Sequence, residues 1–491
     1  MSAPVHLGVD LGTQSVKVCA VDVDGTVLAM ATRPLTSTRD GTRHEQDPHE
    51  WVTEATAATA EVVESLADGR RADVAGLAVC GTSGTLAVVD SHGTPVGPAV
   101  MYDDATAATE ASEVSAADPE RWRGLGYRIQ PSWAVAAMVR AARVGLPAGA
   151  RFAHQPDVVT AAMTGAATAT DWSSALKSGY DLLELSWPEQ TFAALGLPPA
   201  LLPEVVAPGT VVGRVGRDWA TATGVPPGTA VIAGMTDGCA SQLGAGALGS
   251  GDWHAVIGTT LVLKGVTEQP LHDDSGAVYS HRSPEPGRWL PGGASSVGAG
   301  ALTALLPGSD LTALSDRATE VWATGRLPRP AYPLTGAGER FPFVRPDAHG
   351  FALRDGHAVG LHDAGDEVTT YLAVVAGVAC VERLCLDTLH QAGATTDGRY
   401  SVSGGATRSP LWNQLRADVL ERTLVVSRSA EPAVGMAILA AAGTSGRPVA
   451  ELARSMSDVS VVVEPDPGGT DRMLATYATL RAEWRERGWI A

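Results

Sequence analysis

Apolar and polar residues alternate along the first thirty positions of the chain. Over residues 5–30 the alternation breaks at Gly12-Thr13 and at Asp24-Gly25, residue pairs that are typical of tight turns. The pattern therefore predicts three antiparallel strands. Residues 76–96 repeat the scheme of strand, glycine turn and strand, so we expect a second strand-turn-strand unit there.

Another copy of the opening pattern lies near the middle of the chain. Residues 252–266 again form an apolar strand, a turn at Gly258-Thr259 and a second apolar strand, after a predicted strand at 229–234. Such a duplication predicts two similar α/β domains, 1–247 and 248–491, with both turns facing a shared cleft. Helical periodicity is predicted over 49–67, 104–116, 237–248, 366–392, 410–421, 432–443 and 470–487.

The charge balance limits the partners of the protein. The chain of 491 residues carries 54 acidic and 36 basic side chains, a formal net charge of −18, which repels nucleic acid phosphates and anionic membranes. We therefore expect no nucleic acid and no membrane as a partner. Any phosphate must be bound locally, by loop amides and a metal ion.

The cysteines and the first residues point to a cytoplasmic enzyme. Five cysteines lie in apolar surroundings, and neither CxxC nor a Cys/His ligand spacing is present, so we expect reduced packing residues. The first residues show no secretory signal pattern, and no apolar run approaches the about 18 residues of a membrane span.

The first turn combines a carboxylate with a glycine turn. Asp10 ends a strand, and Gly12, Thr13, Gln14 and Ser15 follow it with amides and hydroxyls. Such a turn can surround phosphate oxygens, while the carboxylate holds Mg²⁺ directly or through water. The alternative is an ordinary hairpin turn. The matching turn Gly258–Thr260 favours phosphate, because two such turns can hold one polyphosphate.

A third glycine pair and one aspartate complete the candidate site. Gly404 and Gly405 follow an apolar strand and precede a helix, an arrangement that lets a base or ribose approach the backbone; the alternative is an ordinary strand-to-helix loop. Asp237 stands between a buried strand and a helix. It can accept the proton of an attacking alcohol as a general base, or it can simply cap the helix as an N-cap residue.

These segments resemble one family in order and in spacing. GVDLGTQSVKV, AGMTDGCASQLGAG, VIGTTLVLKG and SGGATRSPLWNQLRADVL are similar to the two phosphate motifs, the catalytic aspartate segment and the adenosine motif of the FGGY carbohydrate kinases. The resemblance covers nearly the whole chain. It implies an α/β protein of two ribonuclease H-like domains, as in actin-like ATPases, with ATP and sugar bound in the cleft between them.

The resemblance also implies a role for each candidate residue. Asp10 would hold Mg²⁺ and contact the substrate, residues 12–15 and 258–260 would surround the phosphates of ATP, and Asp237 would be the general base in contact with substrate. Gly404 and Gly405 would lie under the nucleotide, with Ser409 and Asn413 as candidates for its adenosine. The family's motif usually has three glycines, and the first of them is Ser403 here, which leaves the adenosine contacts open.

The sugar is expected to contact the first domain. Gly81-Thr82-Ser83-Gly84-Thr85 replaces the Gly-Gln-Met-His-Gly of related xylulose kinases, and with Tyr102-Asp103-Asp104 it resembles the branch that phosphorylates D-ribulose. Ser83 is the leading sugar contact, followed by Asp103 or Asp104, with turn stabilisation and helix capping as the alternatives. The family's usual arginine two residues after Asp104 is Thr106 here.

Several functional alternatives stay open at this point. The substrate is expected to be a small ketose or polyol, with D-ribulose and D-xylulose ahead of glycerol, erythritol and L-ribulose. A different class is a non-catalytic or chaperone-like ATPase, against which Asp237 argues. The oligomeric state is undecided, with a homodimer among the alternatives.

Overall fold

A computed structural model describes residues 3–67, 69–273, 275–428 and 430–491. Its strands are β1 (Val5–Leu11), β2 (Ser15–Val21), β3 (Val27–Pro34), β4 (Thr38–Asp40), β5 (Arg43–Gln46), β6 (Val74–Gly81), β7 (Leu86–Val89), β8 (Ala99–Val100), β9 (Arg151–His154), β10 (Thr170–Asp171), β11 (Val205–Val206), β12 (Val211–Arg214), β13 (Ala230–Ile232), β14 (Trp253–Ile257), β15 (Leu261–Gly265), β16 (Tyr279–Arg282), β17 (Trp289–Ser295), β18 (Ala331–Tyr332), β19 (Phe351–Arg354), β20 (His357–Val359), β21 (Tyr400–Ser403), β22 (Leu424–Ser427) and β23 (Val459–Val463).

The α-helices are α1 (Pro48–Glu64), α2 (Ala108–Ala117), α3 (Pro119–Gly124), α4 (Ala134–Val144), α5 (Gln155–Thr164), α6 (Trp172–Ala175), α7 (Glu189–Ala194), α8 (Arg217–Thr223), α9 (Asp237–Gly244), α10 (Gly300–Leu305), α11 (Leu311–Ala323), α12 (Glu367–Gln391), α13 (Pro410–Leu420), α14 (Pro432–Ser445), α15 (Val449–Met456) and α16 (Pro467–Glu486). All seven helices expected from the periodicity are present. In the part of the chain that the structure describes, no helix has both the length and the apolar character needed to cross a bilayer.

The chain forms two compact units. Unit 1 contains residues 1–248, 281–289 and 429–458, and unit 2 contains residues 249–280, 290–428 and 459–491. The first division lies one residue beyond the predicted 1–247. Two later segments that the sequence placed in 248–491 instead pack with unit 1.

Unit 1 is built on a six-stranded mixed sheet with the order β12-β13-β6-β1-β2-β3. β1 pairs antiparallel with β2 and parallel with β6, β6 pairs parallel with β13, and β2 pairs antiparallel with β3. The predicted three-strand meander is therefore confirmed. The two strands of 76–96 also exist, but they lie in different sheets, because β7 pairs with β8 and β9 in a five-stranded sheet.

Unit 2 repeats the same strand order. Its sheet runs β16-β17-β15-β14-β21-β22-β23, in which β14 pairs antiparallel with β15 and parallel with β21. β21 pairs parallel with β22, β22 antiparallel with β23, and β15 antiparallel with β17. The directions of six strands thus match those of unit 1 position by position, which confirms the internal duplication.

Helix α14 explains why residues near 440 belong to unit 1. The helix is apolar on nearly every side, with ten buried residues, and such a helix needs neighbours all round. It lies against β1 so closely that a Cβ added at Gly8 would come within 1.7 Å of the carbonyl oxygen of Ala433. On α14, a Cβ at Gly435 would come within 1.9 Å of the carbonyl oxygen of Ala240 in α9.

Candidate active site

Three neighbouring strands of unit 1 end side by side at the candidate active site. Leu11 at the end of β1 pairs with Gly81 at the end of β6, and Gly81 forms a parallel bridge with Thr236, just beyond β13. Asp10 precedes Leu11 and Asp237 follows Thr236. The topology therefore brings both predicted carboxylates to the carboxyl edge of the sheet, where open α/β sheets bind their ligands.

Asp10 is half-buried between polar neighbours on both adjacent strands. Lys17 faces it on β2, and Cys80 faces it on β6. The thiol of Cys80 donates a hydrogen bond to Oδ1 of Asp10 over 3.5 Å. Burial, assisted by the negative charge of Asp237, raises the pKa of Asp10 to about 7. A cation beside this carboxyl group would favour its ionised form.

Lys17 interacts with a second carboxylate besides that of Asp10. Its ammonium group forms an ion pair with Glu431, the N-cap residue of α14. The two charges act on Asp10 in opposite directions, because Lys17 lowers the pKa of Asp10 and Glu431 raises it. Burial also raises the pKa of the Cys80 thiol well above its ordinary value, so this side chain remains a hydrogen-bond donor.

Asp237 is the first residue of α9 and is half-buried. The N-cap position belongs to Thr236, whose side chain makes no capping hydrogen bond. Oδ1 of Asp237 accepts a hydrogen bond from the amide of Gly238 over 2.6 Å. The helix start is held from behind, since the amide of Thr236 donates to Oγ of Ser173 over 3.0 Å.

Ser173 is itself held by a buried aspartate. Its hydroxyl donates to Oδ1 of Asp171 over 2.5 Å, and Ser174 donates to Oδ2 of the same carboxylate over 2.6 Å. Asp171 thereby fixes Ser173, and Ser173 fixes the backbone just before Asp237. The segment around Asp171 therefore positions the start of α9 in addition to connecting secondary-structure elements.

The first glycine turn holds its carbonyl oxygens in contacts with the protein. The amide of Gly12 donates to the carbonyl of Ser15 over 3.0 Å, and the amide of Leu35 donates to the carbonyl of Gln14 over 2.8 Å. The carbonyl of Thr13 accepts a hydrogen bond from Nε2 of Gln46 over 2.7 Å. With its carbonyl groups fixed in this way, the turn is suited to present amides to an anion.

The second glycine turn, in unit 2, has the same property. The amide of Gly258 donates to the carbonyl of Thr260 over 3.1 Å, as Gly12 does to Ser15. The carbonyls of Gly258 and Thr259 accept hydrogen bonds from the amides of Ala299 and Gly300, over 2.8 and 3.1 Å. A Cβ at Gly258 would meet nothing within 4 Å.

The third glycine pair differs between its two members. Gly404 has a φ of 91°, and a Cβ there would come within 2.4 Å of the carbonyl oxygen of Ile257, so the fold itself requires glycine. Gly405 is exposed, and a Cβ there would meet nothing within 4 Å. Packing within the described residues therefore explains why position 404 requires glycine, but it does not explain the glycine at position 405.

Ser409 and Asn413 also have different surroundings. Ser409 is the N-cap of α13, where its hydroxyl accepts a hydrogen bond from the amide of Trp412 and contacts Ser315 over 2.8 Å. Asn413 is buried, and Nδ2 donates to the carbonyl of Thr407 over 2.9 Å. Among the described residues, Oδ1 of Asn413 has no hydrogen-bond partner.

The predicted sugar residues fall into two groups. In one group, both carboxylate oxygens of Asp104 accept hydrogen bonds from the protein, from the amides of His44 and Thr106 over 2.8 and 2.9 Å. Asp103 is half-buried; burial opposes its ionisation, but hydrogen bonds from His44 and Arg39 outweigh burial and lower its pKa.

Ser83 is placed differently from the two aspartates. Its Oγ is buried and has no hydrogen-bond partner among the described residues. The ammonium group of Lys177 donates to its carbonyl over 2.8 Å. The turn amide that was the alternative role for this hydroxyl is therefore not its partner, and a ligand group remains a suitable one.

Two family models match successive parts of the chain. Residues 5–244 match the N-terminal domain of the FGGY family of carbohydrate kinases, and residues 254–444 match its C-terminal domain. The chain belongs to the FGGY family of carbohydrate kinases.

FGGY relatives match over nearly the full chain. The chain is 27% identical to a xylulose kinase of Escherichia coli K12, with 89% of each chain covered, and 28% identical to a xylulose kinase of Streptomyces rubiginosus, with 99% and 98% covered. The crystal structure of a xyloylose kinase from Brucella ovis superposes with a TM-score of 0.87 at 22% identity over 99% of both chains. This structural likeness confirms the predicted fold class.

The candidate site contains residues that the motifs did not reveal. Lys17, Cys80, Glu431 and Ser173 all contact the residues around Asp10 and Asp237. Lys17 was open to prediction, because a hairpin that turns at Gly12-Thr13 places it opposite Asp10. Cys80 and Glu431 come from distant segments and carry no local pattern. Within the described residues, no three acidic, histidine or cysteine side chains form a metal-binding cluster.

Proposed function

We propose that this FGGY kinase transfers the γ-phosphate of ATP to a hydroxyl group of a pentulose, with D-ribulose and D-xylulose as the leading substrates, in the cytoplasm. The observation that carries the proposal is the position of Asp10 and Asp237 at the same edge of the unit 1 sheet, at the ends of β1 and β13 on either side of β6. The negative charge of Asp237 raises the pKa of Asp10, so both carboxylates belong to a single site. The relatives named xylulose kinase support a pentulose over other acceptors.

Asp237 is proposed as the general base. Its backbone is anchored through Ser173 and Asp171, and its Oδ1 is oriented by the amide of Gly238. A fixed carboxylate at a helix start can accept the proton of the attacking hydroxyl group as the bond to phosphorus forms. A capping role is not needed to explain it, since Thr236 occupies the N-cap position.

Asp10 is proposed to hold Mg²⁺. Burial and the charge of Asp237 raise the pKa of Asp10, and Lys17, which opposes this, is shared with Glu431, so a bound cation would stabilise the ionised form. Mg²⁺ retains several waters and takes one or two carboxylates together with substrate phosphates, which fits a site with few protein ligands. When bound, the ion neutralises charge on the phosphates.

The glycine turns are proposed to bind the nucleotide. The turns 12–15 and 258–260 are suited to present amides other than those of Gly12 and Gly258 to phosphate oxygens, since their carbonyl groups are held by neighbouring residues. The open space beside Gly405 suits a nucleotide ring. Ser409 supports this loop as the cap of α13, and Asn413 offers the unpartnered Oδ1 as an acceptor for an amino group of the base.

Ser83 is proposed as the first sugar contact. A buried hydroxyl group without a partner costs free energy unless a ligand supplies the missing hydrogen bond. Asp103 remains the second proposed contact, because its side chain is still partly exposed to solvent. Asp104 is the weakest of the three, since both of its oxygens already accept backbone hydrogen bonds.

The test is a substrate screen with the purified protein, ATP and Mg²⁺. ADP release is measured with ketopentoses, ketohexoses, glycerol and erythritol, and the position of the new phosphate is found by NMR. We expect turnover with a pentulose to exceed turnover with every polyol. ADP release that no sugar accelerates would instead indicate the sugar-independent ATPase.

A further inference from the structure

A buried glutamine lies beside the proposed sugar segment. Gln155 is the first residue of α5 and has no exposed surface. Its Oε1 accepts two hydrogen bonds from Thr82, one from the amide and one from the hydroxyl group, both over 2.9 Å. Because a backbone amide can only donate, the oxygen must be the atom that faces Thr82.

The other end of this side chain is left without a partner. Nε2 of Gln155 is buried and has no hydrogen-bond acceptor among the described residues. An amide nitrogen carries two donors, and burying both without acceptors is costly. Oγ of Ser83, the residue after Thr82, is the second buried atom here that has no described partner.

The backbone places Gln155 against the strand ends of the site. A Cβ at Gly81 would come within 2.9 Å of Oε1 of Gln155, and Gly81 pairs with Leu11 and Thr236, the neighbours of the two catalytic carboxylates. The start of α5 is rigid, since the amide of His154 donates to Asp157 over 2.7 Å in a capping box.

We propose that Gln155 is a sugar-specificity residue whose Nε2 donates a hydrogen bond to one oxygen of the acceptor sugar, beside the contact made by Ser83. The inference rests on the proposed sugar kinase function and extends it. The ligand that suits two such adjacent atoms is a polyhydroxylated carbonyl compound, because each of its oxygens can accept from Nε2 and each hydroxyl can also donate to Ser83. A buried water molecule is the competing partner.

Two variants separate the donor from the rest of the side chain. Gln155→Glu keeps an oxygen for Thr82 and replaces only the donor, and Gln155→Met removes both polar ends at similar volume. Gln190→Glu, on the exposed face of α7, makes the same charge change away from the site. The kcat/KM for D-ribulose, D-xylulose, their 1-, 3- and 4-deoxy derivatives and the matching pentitols is measured, together with the KM for ATP.

We expect both Gln155 variants to lose about tenfold or more in kcat/KM for the good sugar, with the KM for ATP unchanged and Gln190→Glu at the wild-type value. The loss should disappear for the one analogue that lacks the contacted oxygen. An equal loss on every sugar and analogue, as a structural water would give, or no loss at all, overturns the inference while leaving the kinase function intact. A wild-type protein that phosphorylates no sugar overturns the proposed function and this inference with it.

Discussion

Asp10 and Cys80 occupy partner positions on two parallel strands, and the thiol of Cys80 lies 3.5 Å from Oδ1 of Asp10. This hydrogen bond favours the ionised carboxylate, yet the pKa of Asp10 is still raised to about 7. Burial and the charge of Asp237 outweigh the thiol. The unfolded chain has its ordinary value near 3.8, so folding favours the protonated form.

The first prediction concerns stability against pH in the absence of Mg²⁺ and nucleotide. A raised carboxyl pKa stabilises the folded protein below pH 4, and this contribution is lost as the pH rises through 7. The free energy of unfolding of Asp10→Asn, relative to that of wild type, should therefore increase as the pH is raised from 4 to 8, by at most about 4 kcal/mol. Urea unfolding at both pH values measures it. Parallel stability curves for the two proteins would contradict the assigned pKa.

Asp237→Asn should reduce kcat by about 10²- to 10⁴-fold while the affinity for ATP stays at the wild-type value. The amide cannot accept the proton of the sugar hydroxyl group, but it preserves the shape of the helix start. Asp218→Asn is the matched control, because Asp218 lies in the first turn of α8 and is exposed. Steady-state turnover and ATP binding by calorimetry test both. Wild-type turnover in Asp237→Asn would exclude it as the base.

Ser173 and Ser174 allow a test of how the base is positioned. Both hydroxyl groups donate to Asp171, but only Ser173 also accepts from the amide of Thr236. Ser173→Ala should lower kcat by about tenfold with the KM for ATP unchanged, and Ser174→Ala should lower it less. Ser173→Thr, which restores the hydroxyl group, should recover turnover. Equal losses in both alanine variants would show that only the stability of the Asp171 cluster matters.

Alanine is predicted to affect Gly404 and Gly405 differently, lowering stability at the first position and weakening ATP use at the second. Gly404→Ala forces a side chain into a left-handed conformation against the carbonyl of Ile257, which should cost about 1–3 kcal/mol of stability. The added Cβ of Gly405→Ala would meet no atom of the described residues within 4 Å, so its melting temperature should match wild type while its KM for ATP rises. An unchanged KM in Gly405→Ala would remove this residue from the nucleotide site.

A buried ion pair supports the helices behind this loop. Nε and Nη2 of Arg416 on α13 donate to the two carboxylate oxygens of Glu382 on α12 over 2.7 and 2.8 Å, and Tyr400 donates to the same group over 2.8 Å. Both charged side chains are fully buried. Glu382→Ala leaves a buried charge and should cost about 3–5 kcal/mol. Glu451→Gln, in an exposed pair with Arg447, should cost under about 1 kcal/mol in the same urea titration.

Much of the fold follows from local pattern. The meander 5–30, the hairpin 252–266 and the long helices are encoded by alternation and periodicity over neighbouring residues, and the structure contains each of them. Helix α2 begins at Ala108 rather than at 104, because Asp104 uses its carboxylate to hold the loop amides of His44 and Thr106.

The contacts that complete the site are not local. Gln155 reaches Thr82 from α5, Glu431 reaches Lys17 from the start of α14, and neither pairing has a spacing that the sequence displays. The strand at 86–89 illustrates the same limit, since its alternation predicts a strand without indicating which sheet it joins. Such partners are chosen by packing between segments, which a single sequence does not specify.

The contact between β1 and α14 sets an order of events during synthesis. His6 on β1 and Thr444 on α14 share a hydrogen bond across 438 positions of the chain, so β1 stays uncovered during synthesis until the segment of α14 has been made. Unit 1 cannot finish folding when residue 248 has been synthesised. A fragment that stops there would expose the apolar surface that α14 covers and would tend to aggregate. Folding of unit 1 therefore has to wait for residues 429–458, which complete it.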